Sequence, residues 1–165
     1  MTELVGKRAE ELGGEAGLME AVLTLAERQG TAGRSPFAAL VVRDGVVVGA
    51  GVNRVEDDLD PSAHAEVVAI RDAAGSAEAA TLYTSCEPCA LCRTVAHAAG
   101  VAEMVYAAGK ELIPPAMGRI PDDVVALIDA VSTVLPGQTR ATKADIPAER
   151  RARPFTRFVE SGAGR

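Results

Sequence analysis

Residues 80–107 read ATLYTSCEPCALCRTVAHAAGVAEMVYA, and this stretch decides the fold. Ala80 to Ser85 has the length and bulk of a short strand. Pro88 reads as the opening of a helix, because its fixed φ suits the first turn and its missing N–H is not needed there. That helix runs to about Ala99, and Gly100 stops it. Val101 to Ala107 is a second strand. A strand, a crossover helix and a further strand imply parallel pairing, so the class is α/β.

Upstream, residues 16–28 place Leu18, Val22, Leu25 and Ala26 at helical spacing, with Gln29-Gly30 ending the helix. Phe37 to Val42 and Val46 to Gly51 are extended runs around Arg43-Asp44-Gly45, where Asp-Gly signals a hairpin. A polar loop follows from Asn53 to Asp60. Asp60-Pro61 reads as an N-cap and first helical position, opening a helix that carries His64 and runs to about Ala74 before Gly75. Downstream, after Pro114, Pro115 and Pro121, Asp122 to Val131 is helical. A less regular tail closes with a short helix near Pro154. The expected fold is a three-layer α/β/α sandwich with a mixed central sheet. No repeat, linker or low-complexity tract divides it, so residues 1–165 are expected to form one domain.

Composition narrows the function classes. Of 165 residues, 48% are hydrophobic and 24% charged, a globular balance. The net charge of −6 works against capture of a polyphosphate. The Arg150, Arg151, Arg153 and Arg157 cluster reads as a solvated helix flank. No apolar run is long enough to span a bilayer, and Met1 to Glu11 has no signal-peptide pattern. Three cysteines within seven residues suit a metal site in a reducing compartment better than a disulfide framework. A cytoplasmic location is expected.

The chemistry lies in His64-Ala65-Glu66 and Cys86-Glu87-Pro88-Cys89-Ala90-Leu91-Cys92. With Pro88 at a helix start, Cys89 and Cys92 stand three apart on one face of a first turn, where the helix dipole favours thiolates. Two thiolates are half of a tetrahedral zinc site. His64, at another helix start, makes three ligands and leaves a fourth position for water, the mark of a catalytic rather than a structural site. Two residues apart in a regular helix, His64 and Glu66 point about 200° from each other. Near a helix start that constraint relaxes, and Glu66 can shuttle protons while His64 holds the metal. Cys86 reads as pocket wall, Glu87 as a helix-start charge at most, and His97 as a packing residue.

These residues resemble the H-x-E and P-C-x-x-C signature of zinc deaminases. The chain resembles the cytidine deaminase-like superfamily over roughly Phe37 to Tyr106. DPSAHAEVVAIR and LYTSCEPCALC look most like the bacterial guanine deaminase group, whose members act on free nucleobases. That resemblance implies a Zn2+ cofactor held by His64, Cys89 and Cys92, with Glu66 catalytic. It further implies substrate contacts from Asn53, Phe37 and Ala65, and a homodimer acting on a small nucleobase-like molecule, guanine to xanthine first. The PFTRF tail (Pro154 to Phe158) resembles that group's tail, and Lys110 to Arg119 is expected to shape the pocket. The group's second proton-carrying carboxylate has candidates in Glu111 and Glu149. The alternatives are a tRNA adenosine deaminase, a cytosine, cytidine, pterin or triazine deaminase, and a non-catalytic zinc-stabilised binding module. The tRNA enzymes tend to carry leucine where this chain has Cys86, and cytidine deaminases of this size usually carry cysteine at the position of His64.

Overall fold

The computed structural model describes residues 3–117, 122–134 and 140–163; Pro121 and the 118–119 end of the expected pocket segment lie outside the described residues. In chain order the elements are α1 (Ala9–Leu12), α2 (Gly14–Thr31), β1 (Ala38–Arg43), β2 (Val46–Val52), α3 (Val55–Asp58), α4 (Ala65–Asp72), β3 (Thr81–Cys86), α5 (Ala90–Ala98), β4 (Glu103–Ala108), α6 (Asp122–Val134), β5 (Arg140–Lys143) and α7 (Ala148–Glu160). The strands lie in the order β2-β1-β3-β4-β5. β1 is antiparallel to β2 and β3, whereas β3–β4 and β4–β5 are parallel.

The hairpin forms where the sequence places it. Asp44 and Gly45 have φ of 51° and 74°, the left-handed pair of a two-residue turn that matches strand twist. β1 is buried on both faces, as a strand between two helix layers must be. Ala38, Leu40 and Val42 pack with Leu18, Val22 and Leu23 of α2, and Ala39 and Val41 pack with Ala65, Ala69 and Ile70 of α4 and Ala96 of α5. The three layers and the mixed sheet are therefore as expected.

Small residues set how closely α4 approaches the sheet. A Cβ on Gly51 would meet the Ala65 carbonyl, and one on Gly49 the Ala69 carbonyl. Glycines on β2 facing alanines on α4 let the helix backbone lie almost on the strand. The exposed edge of β2 is covered too: Gly6 N–H donates to the Val47 carbonyl at 2.8 Å, Val47 N–H to Lys7 at 2.9 Å, and Ala50 N–H to Asp72 Oδ2 at 3.0 Å. Such pairing removes the unsatisfied groups that make an edge prone to aggregate.

Several boundaries differ from expectation. Asp60-Pro61 does not open α4: the Asp60 carboxylate accepts instead from the Ser62 N–H (2.8 Å) and hydroxyl (2.6 Å), closing a turn. The helix begins at Ala65. Pro88 likewise precedes α5 rather than entering it, and Cys89 is the N-cap. α7 is a full 13 residues with Pro154 inside, where its carbonyl crosses Gly30 of α2 at a distance no Cβ there would permit. α1, α3 and β5 were not expected. β5 is a four-residue strand, and α1 and α3 are single turns, too short for a hydrophobic period to register.

Candidate metal centre and cavity

His64 and Cys89 occupy equivalent positions: each is the N-cap of its helix, with φ/ψ of −65°/153° and −73°/173°. An N-cap is extended while its carbonyl already accepts the first helical bond, here from Val68 N–H at 2.9 Å and from Arg93 N–H at 3.0 Å. Its side chain therefore projects past the helix start instead of lying along the barrel. Because His64 is outside the helical spiral, the angular conflict with Glu66 disappears, and both face one point.

Cys89 Sγ, Cys92 Sγ and His64 Nδ1 form a triangle with every side 3.5 Å. An ion near its centre would sit about 2.0–2.3 Å from each donor, the span of zinc–nitrogen and zinc–sulfur bonds, with one vertex left open. Among the described residues these three are the group placed to hold a metal ion. Two soft sulfurs and one imidazole suit zinc. The Cys92 and His64 groups beside it hold the Cys89 thiol down at about 4, whereas Cys92 is pushed up by its hydrogen bond with Cys89 and by burial. The pair thus shares a proton that a dication would displace. The Cys89 sulfur in turn raises His64.

Glu66 is 7% exposed. Burial pushes its carboxyl above the ordinary range, the Cys89 charge adds to that, and His64 opposes it. Thr84 Oγ1, from β3, stands 3.4 Å from Glu66 Oε1 and 3.2 Å from the Cys86 carbonyl. Nothing in the sequence singles out Thr84. Its role follows from strand alternation, which aims Leu82, Thr84 and Cys86 at one face.

A cavity of about 260 Å³ opens over the triangle, lined by Phe37, Asn53, His64, Glu66, Cys86 and Cys89 among others. That is near the small end for ligand sites. The hairpin brings Phe37 and Asn53 together: Asn53 N–H donates to the Phe37 carbonyl at 3.1 Å. Asn53 Oδ1 is engaged by Val55 N–H at 3.2 Å, which leaves its NH₂ as the donor. Phe37 rests edge-on against Phe155 of α7, centroids 5.9 Å apart at 69°, and Phe155 packs with Cys86 and Ala108. The tail helix thus backs the cavity wall. Ala65, by contrast, is fully buried in the core between α4 and the sheet and is not among the lining residues. Glu111 and Glu149 are exposed and do not line the cavity either; Glu111 faces Lys143 at 3.4 Å. Lys110 and Ile113 line the cavity from the segment expected to shape it, whereas Glu87 was set aside and Val124 missed by sequence reasoning.

The chain belongs to the cytidine and deoxycytidylate deaminase family: the model of that family's zinc-binding region matches residues 15–108. A guanine deaminase of Bacillus subtilis (strain 168) is 44% identical over 78 residues, covering 44% of this chain and 50% of that one. A tRNA-specific adenosine deaminase of Aquifex aeolicus (strain VF5) is 29% identical over 100 residues, covering 58% and 66%. The chain thus spans about half the length of the B. subtilis relative. A solved guanine deaminase from Nitrosomonas europaea superposes with a TM-score of 0.67 at 24% identity over 88% of this chain and 85% of that one, a likeness of fold.

Proposed function

We propose that this chain is a zinc-dependent hydrolytic deaminase of a small free aminoheterocycle, with guanine to xanthine and ammonia as the first reaction to test. The observation that carries the reading is the 3.5 Å sulfur–sulfur–nitrogen triangle beside a buried carboxylate in the wall of a cavity of single-base size. The 44% identity to a guanine deaminase supports the choice of base.

His64, Cys89 and Cys92 hold the ion, which when bound supplies an acidified water at neutral pH. Glu66 would take one proton of the attacking water as its oxygen adds to the amine-bearing carbon. It delivers that proton to the ring nitrogen and then carries the second proton, from the added oxygen, to the departing amine, so that the C–N bond breaks, ammonia leaves and the carbonyl forms. Its burial suits this, since a carboxyl raised toward neutrality both accepts and returns a proton. Phe37 packs against the ring, and the Asn53 amide donates to a base nitrogen or oxygen. Both come from the hairpin end, so one rigid element sets the plane of the ring. The working unit is a single domain over residues 1–165 that pairs as a homodimer in a reducing compartment. Leu127 on α6, 55% exposed, and Leu91 on α5, 38% exposed, are apolar surface consistent with that pairing.

A tRNA adenosine deaminase is the second reading, favoured by the 29% identity to such an enzyme over 100 residues. Ammonia release from guanine, cytosine, adenine, isocytosine, ammeline and pterin, beside a tRNA anticodon stem-loop, separates the two. Turnover of a free base supports the first reading. Turnover of the stem-loop alone overturns it.

A further inference from the structure

Two cavity-lining residues take no part in the triangle or the proton path and carry opposite charge: Glu87 and Lys110. The sheet sets them on neighbouring segments. Cys86 and Ala108 are partners in the parallel β3–β4 register, and Glu87 N–H donates to the Ala108 carbonyl at 2.8 Å. Lys110 follows two residues later, opening the 3-10 turn Lys110–Leu112. Both residues therefore stand outside the carboxyl ends of parallel strands, where ligands of open α/β sheets bind.

Glu87 is held in place. The Arg93 side chain, 8% exposed, reaches back over the start of α5, its Nη2 3.3 Å from Glu87 Oε1 and its Nε donating to the Pro88 carbonyl at 3.0 Å. A cation in the first turn of a helix opposes the dipole, so the ion pair with Glu87 is what makes this buried position tolerable. Arg93 engages Oε1, and Oε2 is the remaining acceptor of that carboxylate.

An ammonium only donates and a carboxylate only accepts. A wall that offers both an acceptor and a donor is complementary to a ligand edge that offers both in turn, and in a heterocycle such an edge is a lactam, N–H next to C=O. We propose that Glu87 and Lys110 read the lactam edge next to the amine-bearing carbon, making this a deaminase of 2-amino-oxo heterocycles. Guanine, pterin and isocytosine have that edge. Adenine and cytosine place a bare ring nitrogen beside the amine, an acceptor facing the Glu87 carboxylate, and are rejected. The inference rests on the free-base reading above.

The test uses zinc-loaded full-length protein and Lys110→Met, with zinc content and melting checked for both. Hypoxanthine keeps the lactam but lacks the amine, and purine lacks both. Each is assayed as an inhibitor of guanine turnover. Losing a hydrogen bond from a charged donor weakens hypoxanthine roughly tenfold to a hundredfold, while purine inhibition is unchanged. Should Lys110→Met melt below the assay temperature, Glu87→Gln carries the same contrast. Equal shifts for the two inhibitors, or no shift for hypoxanthine, overturn the inference and leave the free-base reading standing. Wild-type turnover of adenine or cytosine with none of the lactams does the same. No turnover of any free base sinks the reading itself, and this inference with it.

Discussion

Glu66 is where the account is most exposed at the scale of single residues. It is buried beside a sulfur-rich metal site, and its carboxyl is displaced upward by that burial. Glu66→Gln keeps the shape and the Thr84 contact but removes the proton carrier. It is expected to retain zinc and melting behaviour while ammonia release falls by about 10²–10⁴-fold, measured by coupled ammonia assay. The same displacement fixes a sign. Since Glu66 must be ionised to accept a proton, kcat/KM is lost on the acid side at a pH above that of an ordinary carboxylate. An acid limb at the ordinary carboxylate pKa, about 4.3, would show that burial does not tune this group.

His64, Ala65 and Glu66 also show what one residue type can reveal alone. The ligand triad was legible because histidine and cysteine at those spacings have few other uses. Lys110 lies in the segment expected to shape the pocket, but the positions of Thr84 and Glu87 were not legible, because threonine and glutamate are common on any surface. Only strand alternation and the β3–β4 register aim them at the cavity. Ala65 lies between two site residues in sequence, and the helix it begins turns its side chain into the core.

Among the elements, the approach of α4 to β2 governs where His64 and Glu66 stand. Gly51→Ala puts a methyl against the Ala65 carbonyl, and overpacking of this kind costs about 1–3 kcal/mol. Chemical denaturation should show that loss, with reduced zinc occupancy because α4 moves away from α5. An unchanged midpoint would mean that the helix sits further from the strand. The tie between α2 and α7 depends on pH. Arg150 donates to Glu20 with contacts down to 2.6 Å, and this bond holds the Glu20 carboxyl below its usual range. A group depressed in the folded state stabilises above its unfolded pKa, and that contribution is lost as pH falls through the folded one. The Tm difference between wild type and Arg150→Met is therefore largest near neutrality and shrinks in acid below about pH 4. Glu20 is largely exposed, so the difference is small, at most about 1 kcal/mol. The helix–strand–helix order around residues 80–107 was readable because Gly and Pro punctuate it. The true start of α4 was not, since an Asp-Pro pair closes a turn as readily as it opens a helix.

For the molecule as a whole, the question is whether zinc holds the fold or works within it. Two hydrophobic clusters, one on each sheet face, are built without the triangle. Removal of zinc by a chelator is therefore expected to abolish ammonia release and lower Tm while far-ultraviolet circular dichroism is kept. A zinc-stabilised binding module would instead unfold outright. The central claim is that His64, Cys89 and Cys92 grip one ion and leave a vertex open, and zinc K-edge X-ray absorption tests it most directly. The account predicts one zinc per chain with two sulfurs at about 2.3 Å and two lighter scatterers at about 2.0–2.2 Å. Zinc-free protein, or a third sulfur contributed by Cys86, would contradict it.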